Sequence, residues 1–207
     1  MVKKKAGRKH REKEKPRSLN LGCNRRPLRG FINVDLEPFK GVDVVADLEK
    51  RWPWEDSSID FINAVDIVEH LKDKIHLMNE AWRVLKPGGQ FKVTVPHEAG
   101  HGGSQDPTHV TWWNENSFLY FSVYRNDEDE WVSHDWRKLY APHSIKAAFE
   151  IQLGVTEPSP PRDEPGGNFG GVIYIVALLI KREDPGDCES PEYDRRCSDS
   201  HTEQSDE

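Results

Sequence analysis

No stretch of this 207-residue sequence approaches the ~20 consecutive apolar residues of a membrane span. The basic N-terminus lacks the apolar segment of a secretory signal, so a cytoplasmic protein is the expectation. Three cysteines, an odd number, provide no disulfide framework. Cys188 and Cys197 fall in the acidic C-terminal tail with His201 nearby, but two thiols without a second pair fall short of structural-zinc spacing. Internal repeats are absent. So is a basic middle. Residues 1–17 hold nine Lys/Arg against two acids, and residues 182–207 hold three Arg against ten acids. The two ends cancel, so the formal net charge of −7 belongs to the middle, which argues against nucleic acid held across a broad basic face. The arm alone can still touch RNA or an acidic partner; the plain alternative is a solvated tail.

The chain is long enough for one domain with its own core. Its charged ends are too poor in apolar residues to fold, which predicts a disordered basic arm (1–17), one domain (18–181) with an irregular stretch at 98–145, and a disordered acidic tail (182–207). Within the domain, "RSLNLGC" (17–23), "GFINVDL" (30–36), "VDVVADL" (42–48), "IDFINAVD" (59–66) and "QFKVTVP" (90–96) read as strands, the third with the β-branched run of a strand buried on both faces. Ile75, Met78, Trp82 and Leu85 recur at helical spacing, with Leu71, Leu77 and Ala81 beside them, until "KPGG" (86–89) stops the helix. A second helix is expected near Asn116 or Ser117, and further strands at 147–158 and 170–181. Strands interleaved with a helix indicate an α/β fold: a Rossmann-like, mostly parallel twisted sheet flanked by helices, with ligands at the carboxyl ends of its strands. Only Asn24 to Val34 separate the glycine turn from Asp35, so the first helix must be shortened or missing.

"HEAGH" (97–101) matches the H-E-x-x-H pattern of zinc proteases, which needs both histidines on one helical face. The motif directly follows a strand and runs into Gly100, Gly102 and Gly103, each costing a helix roughly 1 kcal/mol relative to Ala. Ser104 and Pro107 stand where the extended signature wants Gly and His. A protease is rejected and no metal site is assigned, although His97, His101 and His109 could converge on one loop as incidental ligands.

Four strands end in residues suited to one crevice: Gly22-Cys23-Asn24, Asp35, Asp47-Leu48 and Val65-Asp66, with Glu69-His70 following. Asn tolerates positive φ better than most residues, so one glycine followed by Asn still permits a sharp turn. A carboxylate at a strand end has a plain alternative as a cap, and Asp66 with Glu69 has capping spacing. Three such carboxylates at successive strand ends favour a binding crevice.

The pieces "LNLGCN", "GFINVDLEP", "VDVVADLE", "WPWEDSSIDFINAVDIVEHL", "LMNEAWRVLKPGGQFKVTVP" and "DPTHVTWWNENSFLYF" span about residues 19–121. In this order they resemble the class I S-adenosylmethionine-dependent methyltransferases, particularly a small subgroup with a "GCG…LPGWINVD" opening. The resemblance implies S-adenosyl-L-methionine as cofactor. Gly22, Cys23 and Asn24 would pass its methionine part, with Asn24 departing from the family's second glycine. Asp35 would hold the ribose hydroxyls and Leu36 would lie beside the adenine. Asp47 and Leu48 would meet the adenine edge. Val65 and Asp66 would flank the sulfonium, with His70 near it. His97, Asp106 and His109 would face the methyl acceptor, His109 and Asp106 as candidate bases because an imidazole titrates near neutrality. Asp-Pro-Thr is also good turn chemistry. Trp112, Trp113 and Tyr120 are pocket walls or plain core. Three functions follow: a methyltransferase acting on an unidentified acceptor, a non-catalytic cofactor- or partner-binding module on the same fold, or an RNA-directed methyltransferase using the basic arm. The fourth strand ends in "VDIV" rather than a "[DN]PP[YF]" signature, which disfavours base amino groups as acceptors.

Overall fold

The computed structural model describes residues 17–140, 145–158 and 171–182. The basic arm and acidic tail expected from the sequence, with Cys188, Cys197 and His201, lie outside the described residues apart from Arg17 and Arg182. No helix among the described residues is long and apolar enough to cross a membrane.

The strands are β1 (Ser18–Leu21), β2 (Ile32–Asp35), β3 (Val44–Val45), β4 (Ile59–Val65), β5 (Leu85–Pro96), β6 (Val123–Arg125), β7 (Trp131–Ser133), β8 (Phe149–Val155) and β9 (Tyr174–Lys181). Seven of them form one sheet in the order β3-β2-β1-β4-β5-β9-β8, while β6 and β7 make a separate hairpin. β3 through β5 run parallel, and β9 lies antiparallel between β5 and β8. The mostly parallel sheet expected from the interleaved pattern is therefore present, with an antiparallel edge that the pattern did not announce.

Alternation along the strands decides which face is covered. Leu19, Leu21, Val34, Ile62, Ala64, Phe91 and Val93 share one face and are buried. They pack with Leu77, Met78, Ala81 and Val84 of α1 (Lys74–Val84), and with Trp113 and Phe118. On the opposite face, strand pairing puts Asn33, Asn20 and Asn63 side by side. Asn63 Nδ2 donates to Asn20 Oδ1 at 3.0 Å, Asn20 Nδ2 to Asn33 Oδ1 at 3.0 Å, and Asn33 Nδ2 to Asp43 Oδ2 at 3.0 Å. No helix intervenes between β1 and β2 to bring apolar side chains onto this face. The ladder of amides satisfies its own polar groups instead.

Three expectations need correction. β3 is two residues long at the sheet edge, with Val45 57% exposed, so its β-branched run is not buried on both faces. α1 begins only at Lys74 because Asp73 caps it, its side chain accepting from the His76 amide at 2.9 Å; Leu71 therefore lies outside the helix. "KPGG" does stop α1, but β5 starts at once at Leu85. Ile59 pairs with Leu85 and Phe61 with Gln90, so Lys86–Gly89 bulge out of the ladder, with Gly88 at φ +76°. The irregular stretch after β5 holds α2 (His101–Gln105), α3 (Glu115–Leu119), the β6–β7 hairpin and α4 (Asp135–Tyr140). α3 starts where Asn114 and Ser117 form a reciprocal capping box.

Candidate functional site

β1 and β4 are neighbours whose chains depart in opposite directions across the sheet, the switch point at which open α/β sheets bind ligands. Two cavities open there and share Gly22. One, of about 700 Å³, is lined by Gly22, Cys23, Asn24, Arg25, Arg26, Val65 and Asp66 together with the Asn20 and Asn63 amides. The other, of about 370 Å³, is lined by Gly22, Asp35, Leu36, Asp47, Leu48, Ile67 and His70. All ten residues expected at a cofactor line one cavity or the other.

The turn after β1 works as the sequence implied. Gly22 lies at φ +61° and Asn24 at φ +45°. A Cβ on Gly22 would stand 2.6 Å from Ile67 Cγ1, so glycine is required for the close approach as well as for the dihedral. Asp66, at the end of β4, also adopts positive φ, +51°. Two non-glycine residues held in this region on one cavity are a strain that surrounding contacts must maintain. Asp35 supplies one of them: its Oδ2 accepts from the Asn24 amide at 2.7 Å and its Oδ1 from the Glu37 amide at 3.1 Å. A carboxylate has about four lone-pair sites, so two remain for a ligand. Leu36 beside it is 62% exposed, an apolar surface open to a flat ring. Asp47 accepts from the Glu49 amide at 3.0 Å and pairs with Lys50; these hydrogen bonds hold its carboxyl below the usual range. Cys23 is buried, its thiol pushed up by burial and by Asp35.

A second cluster adjoins the sulfonium end implied by the resemblance. Val68–His70 form a 3-10 turn, and the following loop folds back on it: the Val110 and Thr111 amides both donate to the Glu69 carbonyl, at 2.9 and 3.0 Å. Lys74 Nζ ties the loop down through the Trp112 carbonyl and lies 4.4 Å from the Trp113 ring centroid. Under this loop the Glu69 side chain is 2% exposed, and among the described residues neither carboxylate oxygen has a hydrogen-bond partner. Burial pushes its carboxyl up to about 7, with the charges of Asp66 and Asp106 adding to the rise. His109 Nε2 lies 3.8 Å from Glu69 Oε1 and 3.9 Å from Asp106 Oδ2. His109 Nδ1 donates to the Gly103 carbonyl at 3.1 Å, and His70 Nδ1 to the Thr108 carbonyl at 3.2 Å. The rings of His70 and His109 are edge to face, 4.8 Å between centroids.

Two of the three residues expected at the acceptor, His109 and Asp106, thus stand together with His70. Asp106 also performs the turn role: its Oδ1 accepts from Thr108 N at 2.8 Å and from Thr108 Oγ1 at 2.6 Å, which hold the carboxyl below the usual range. His97 is employed otherwise. Its Nε2 meets Glu115 Oε2 at 3.0 Å and its Nδ1 accepts from the Ala99 amide at 2.9 Å, so the ring pins two segments together with both nitrogens engaged. It does not converge with His109, and α2 begins at His101, so the two histidines of "HEAGH" share no helix. Asp66 caps nothing; the 3-10 turn is entered from Ile67 without a side-chain cap. The aromatics divide: Trp113 is fully buried, Tyr120 packs on Trp136 at 5.3 Å, and Trp112 is 53% exposed.

Residues 28–93 match the family model described as "Methyltransferase domain". A Mycolicibacterium smegmatis protein named "Probable S-adenosylmethionine-dependent methyltransferase" is 35% identical over 54 residues, 26% of this chain. The chain spans about a fifth (21%) of that relative's length. A solved S-adenosylmethionine-dependent methyltransferase of Archaeoglobus fulgidus superposes with a TM-score of 0.53 at 16% identity, covering 82% of this chain and 87% of that one. The YcgJ protein of Bacillus subtilis gives 0.53 at 15%, covering 82% and 93%. The fold is the one these solved proteins share, a Rossmann-like, mostly parallel sheet. Within that fold, Glu69 is the buried residue that no motif marks, since the sequence shows only its capping spacing from Asp66. The signal for the amide ladder was present too, since "LNL", "INV" and "INA" repeat one Asn position in β1, β2 and β4.

Proposed function

We propose that this chain transfers a methyl group from S-adenosyl-L-methionine to an acceptor, as a member of the subgroup with the shortened β1–β2 connection. The observation that supports the reading is the joining of two cavities at Gly22, with Asp35 and Leu36 on one side and Val65 and Asp66 on the other. The residues fit the cofactor. The free lone pairs of Asp35 suit the two ribose hydroxyls, Leu36 and Leu48 offer apolar contact to the adenine, and the Gly22–Asn24 turn leaves room for the methionine part. When bound, the cofactor supplies a methyl group already activated on a sulfonium. The protein then contributes chiefly alignment and exclusion of water, and such positioning is worth ~7–11 kcal/mol. Val65 and Asp66 border the reacting end. His109, its Nδ1–H spent on Gly103, has its Nε2 lone pair on the acceptor side, where an acceptor that must lose a proton needs a base.

Calorimetric titration with S-adenosyl-L-methionine tests this reading: one site per chain is expected, and absence of heat overturns it. Asp35→Ala removes hydrogen bonds to a charged group worth about 1.5–3 kcal/mol each, so binding should weaken at least ~10-fold. Unchanged affinity would move the ribose elsewhere.

A further inference from the structure

Glu69 is buried at the bottom of the acceptor-side cluster, and among the described residues neither of its oxygens accepts a hydrogen bond of ordinary geometry; its nearest basic group is His109 Nε2, 3.8 Å away. A buried carboxylate left unsatisfied costs a fold several kcal/mol unless something charged or hydrogen-bonding meets it, and among the described residues neither oxygen is met by a hydrogen-bond donor. Two imidazoles and a second carboxylate surround it instead. One donor atom each from Glu69, His70 and His109 lies within 4.8 Å of the others. Both histidines already donate Nδ1–H to backbone carbonyls, of Thr108 and Gly103, so each has Nε2 with a lone pair to offer. That is how metal-ligating histidines are usually oriented by the groups behind them. We propose that Glu69, His70 and His109 form a binding site for a divalent transition-metal ion of the Zn²⁺ type, with Asp106 as a carboxylate at its rim.

The donor set selects the ion. Two imidazole nitrogens and one carboxylate suit Zn²⁺, Co²⁺ or Fe²⁺ rather than Ca²⁺, Mg²⁺ or Mn²⁺, which favour oxygen. Bonds of about 2.0–2.2 Å place tetrahedral ligand atoms roughly 3.3–3.6 Å apart, so the 3.8 Å between His109 Nε2 and Glu69 Oε1 needs only a small side-chain adjustment. Three protein ligands leave a coordination position open, the arrangement of catalytic rather than structural ions. His70 borders the smaller cavity and Asp66, which acts electrostatically on Glu69, borders the larger. The open position then adjoins the reacting end, where an acceptor oxygen would complete the coordination, and His109 Nε2, once spent on the ion, serves as ligand instead of base. This last consequence rests on the methyl-transfer reading; binding of the ion does not.

The test is titration of chelator-treated, full-length protein with Zn²⁺ alone by calorimetry, and with Co²⁺ alone by its visible ligand-field absorption. One equivalent is expected at this site. Glu69→Gln and His109→Gln should each weaken it more than ~100-fold, beyond the 10–100-fold typical of losing a group behind the ligands. His101→Ala, outside the cluster, should leave it unchanged. Circular dichroism identifies a variant that fails to fold, and His70→Gln then replaces it. No binding, or an equivalent that survives both ligand substitutions, overturns the proposal. Because neither titration contains S-adenosyl-L-methionine, failure here leaves the cofactor reading intact, and failure of the cofactor titration leaves this one intact.

Discussion

Gly22 carries two constraints that can be measured apart. Its φ of +61° penalises any side chain, and a Cβ there would meet Ile67 carbons at 2.6–2.8 Å. Gly22→Ala should therefore cost about 2–4 kcal/mol, one part from the dihedral and one from overpacking, read as a lowered denaturant midpoint at unchanged slope. Adding Ile67→Ala should recover the overpacking part only; full recovery would mean the dihedral is unstrained. Asn24 gives the complementary case. It stands at φ +45° with its amide on Asp35, so Asn24→Gly should hold or slightly raise stability, while Asn24→Val should lose about 1–2 kcal/mol. The departure from a second glycine is thus one the backbone tolerates. This much was legible in the sequence, because a residue's preference for positive φ is local. The isolation of Glu69 was not: a carboxylate becomes unpartnered only when a loop forty residues downstream closes over it.

At the scale of elements, one polar knot joins α1 to the loop before β4. Arg83 donates to Glu80 Oε1 and Oε2, both at 2.7 Å, to the Trp54 carbonyl at 2.8 Å, to the Trp52 carbonyl at 3.1 Å and to Asp56 at 2.6 Å. Glu80 Oε2 also accepts from the Trp52 amide at 2.7 Å. Burial opposes the charge on Glu80, yet the Arg83 bonds and the Trp52 amide outweigh it and hold the carboxyl below its ordinary 4.5. A depressed folded-state value means that Glu80 contributes stability above about pH 4.5, lost as pH falls through the lower folded value. Glu80→Gln should accordingly be less stable at neutral pH and show a flatter loss of stability below pH 4.5, by thermal melts across pH 2.5–7 at fixed salt (a range chosen to bracket that value). Parallel acid limbs for the two proteins would refute this role. The sequence presents Glu80 and Arg83 as an ordinary i,i+3 surface pair, normally worth little. Their burial under "RWPWED" depends on tertiary placement, as does the stop of β3 at two residues.

Across the whole molecule, the parallel half of the sheet was legible because each strand brings its own apolar alternation and its own polar carboxyl end. The antiparallel β8 and β9 were legible as strands but not in direction, since direction is set by the connection rather than by the strand. The cavities belong to neither half alone; they exist because β1 and β4 part at the switch point and no helix fills the space beside β1. A ligand that binds only this assembled crevice must stabilise the whole fold. At a free concentration of 100 times Kd the gain is about 2.7 kcal/mol. For a chain of 150–250 residues each kcal/mol raises Tm by about 2–4 °C, so S-adenosyl-L-methionine should raise the melting temperature by roughly 5–10 °C. At the same concentration Asp35→Ala should show a much smaller rise, because its weaker affinity lowers the saturation. Glu69→Gln in chelated protein should retain most of the rise, because Glu69 lines neither cavity. An Asp35→Ala protein that shifts as far as the parent would disprove the placement of the ribose, and a parent that does not shift at millimolar ligand would disprove cofactor binding in this crevice.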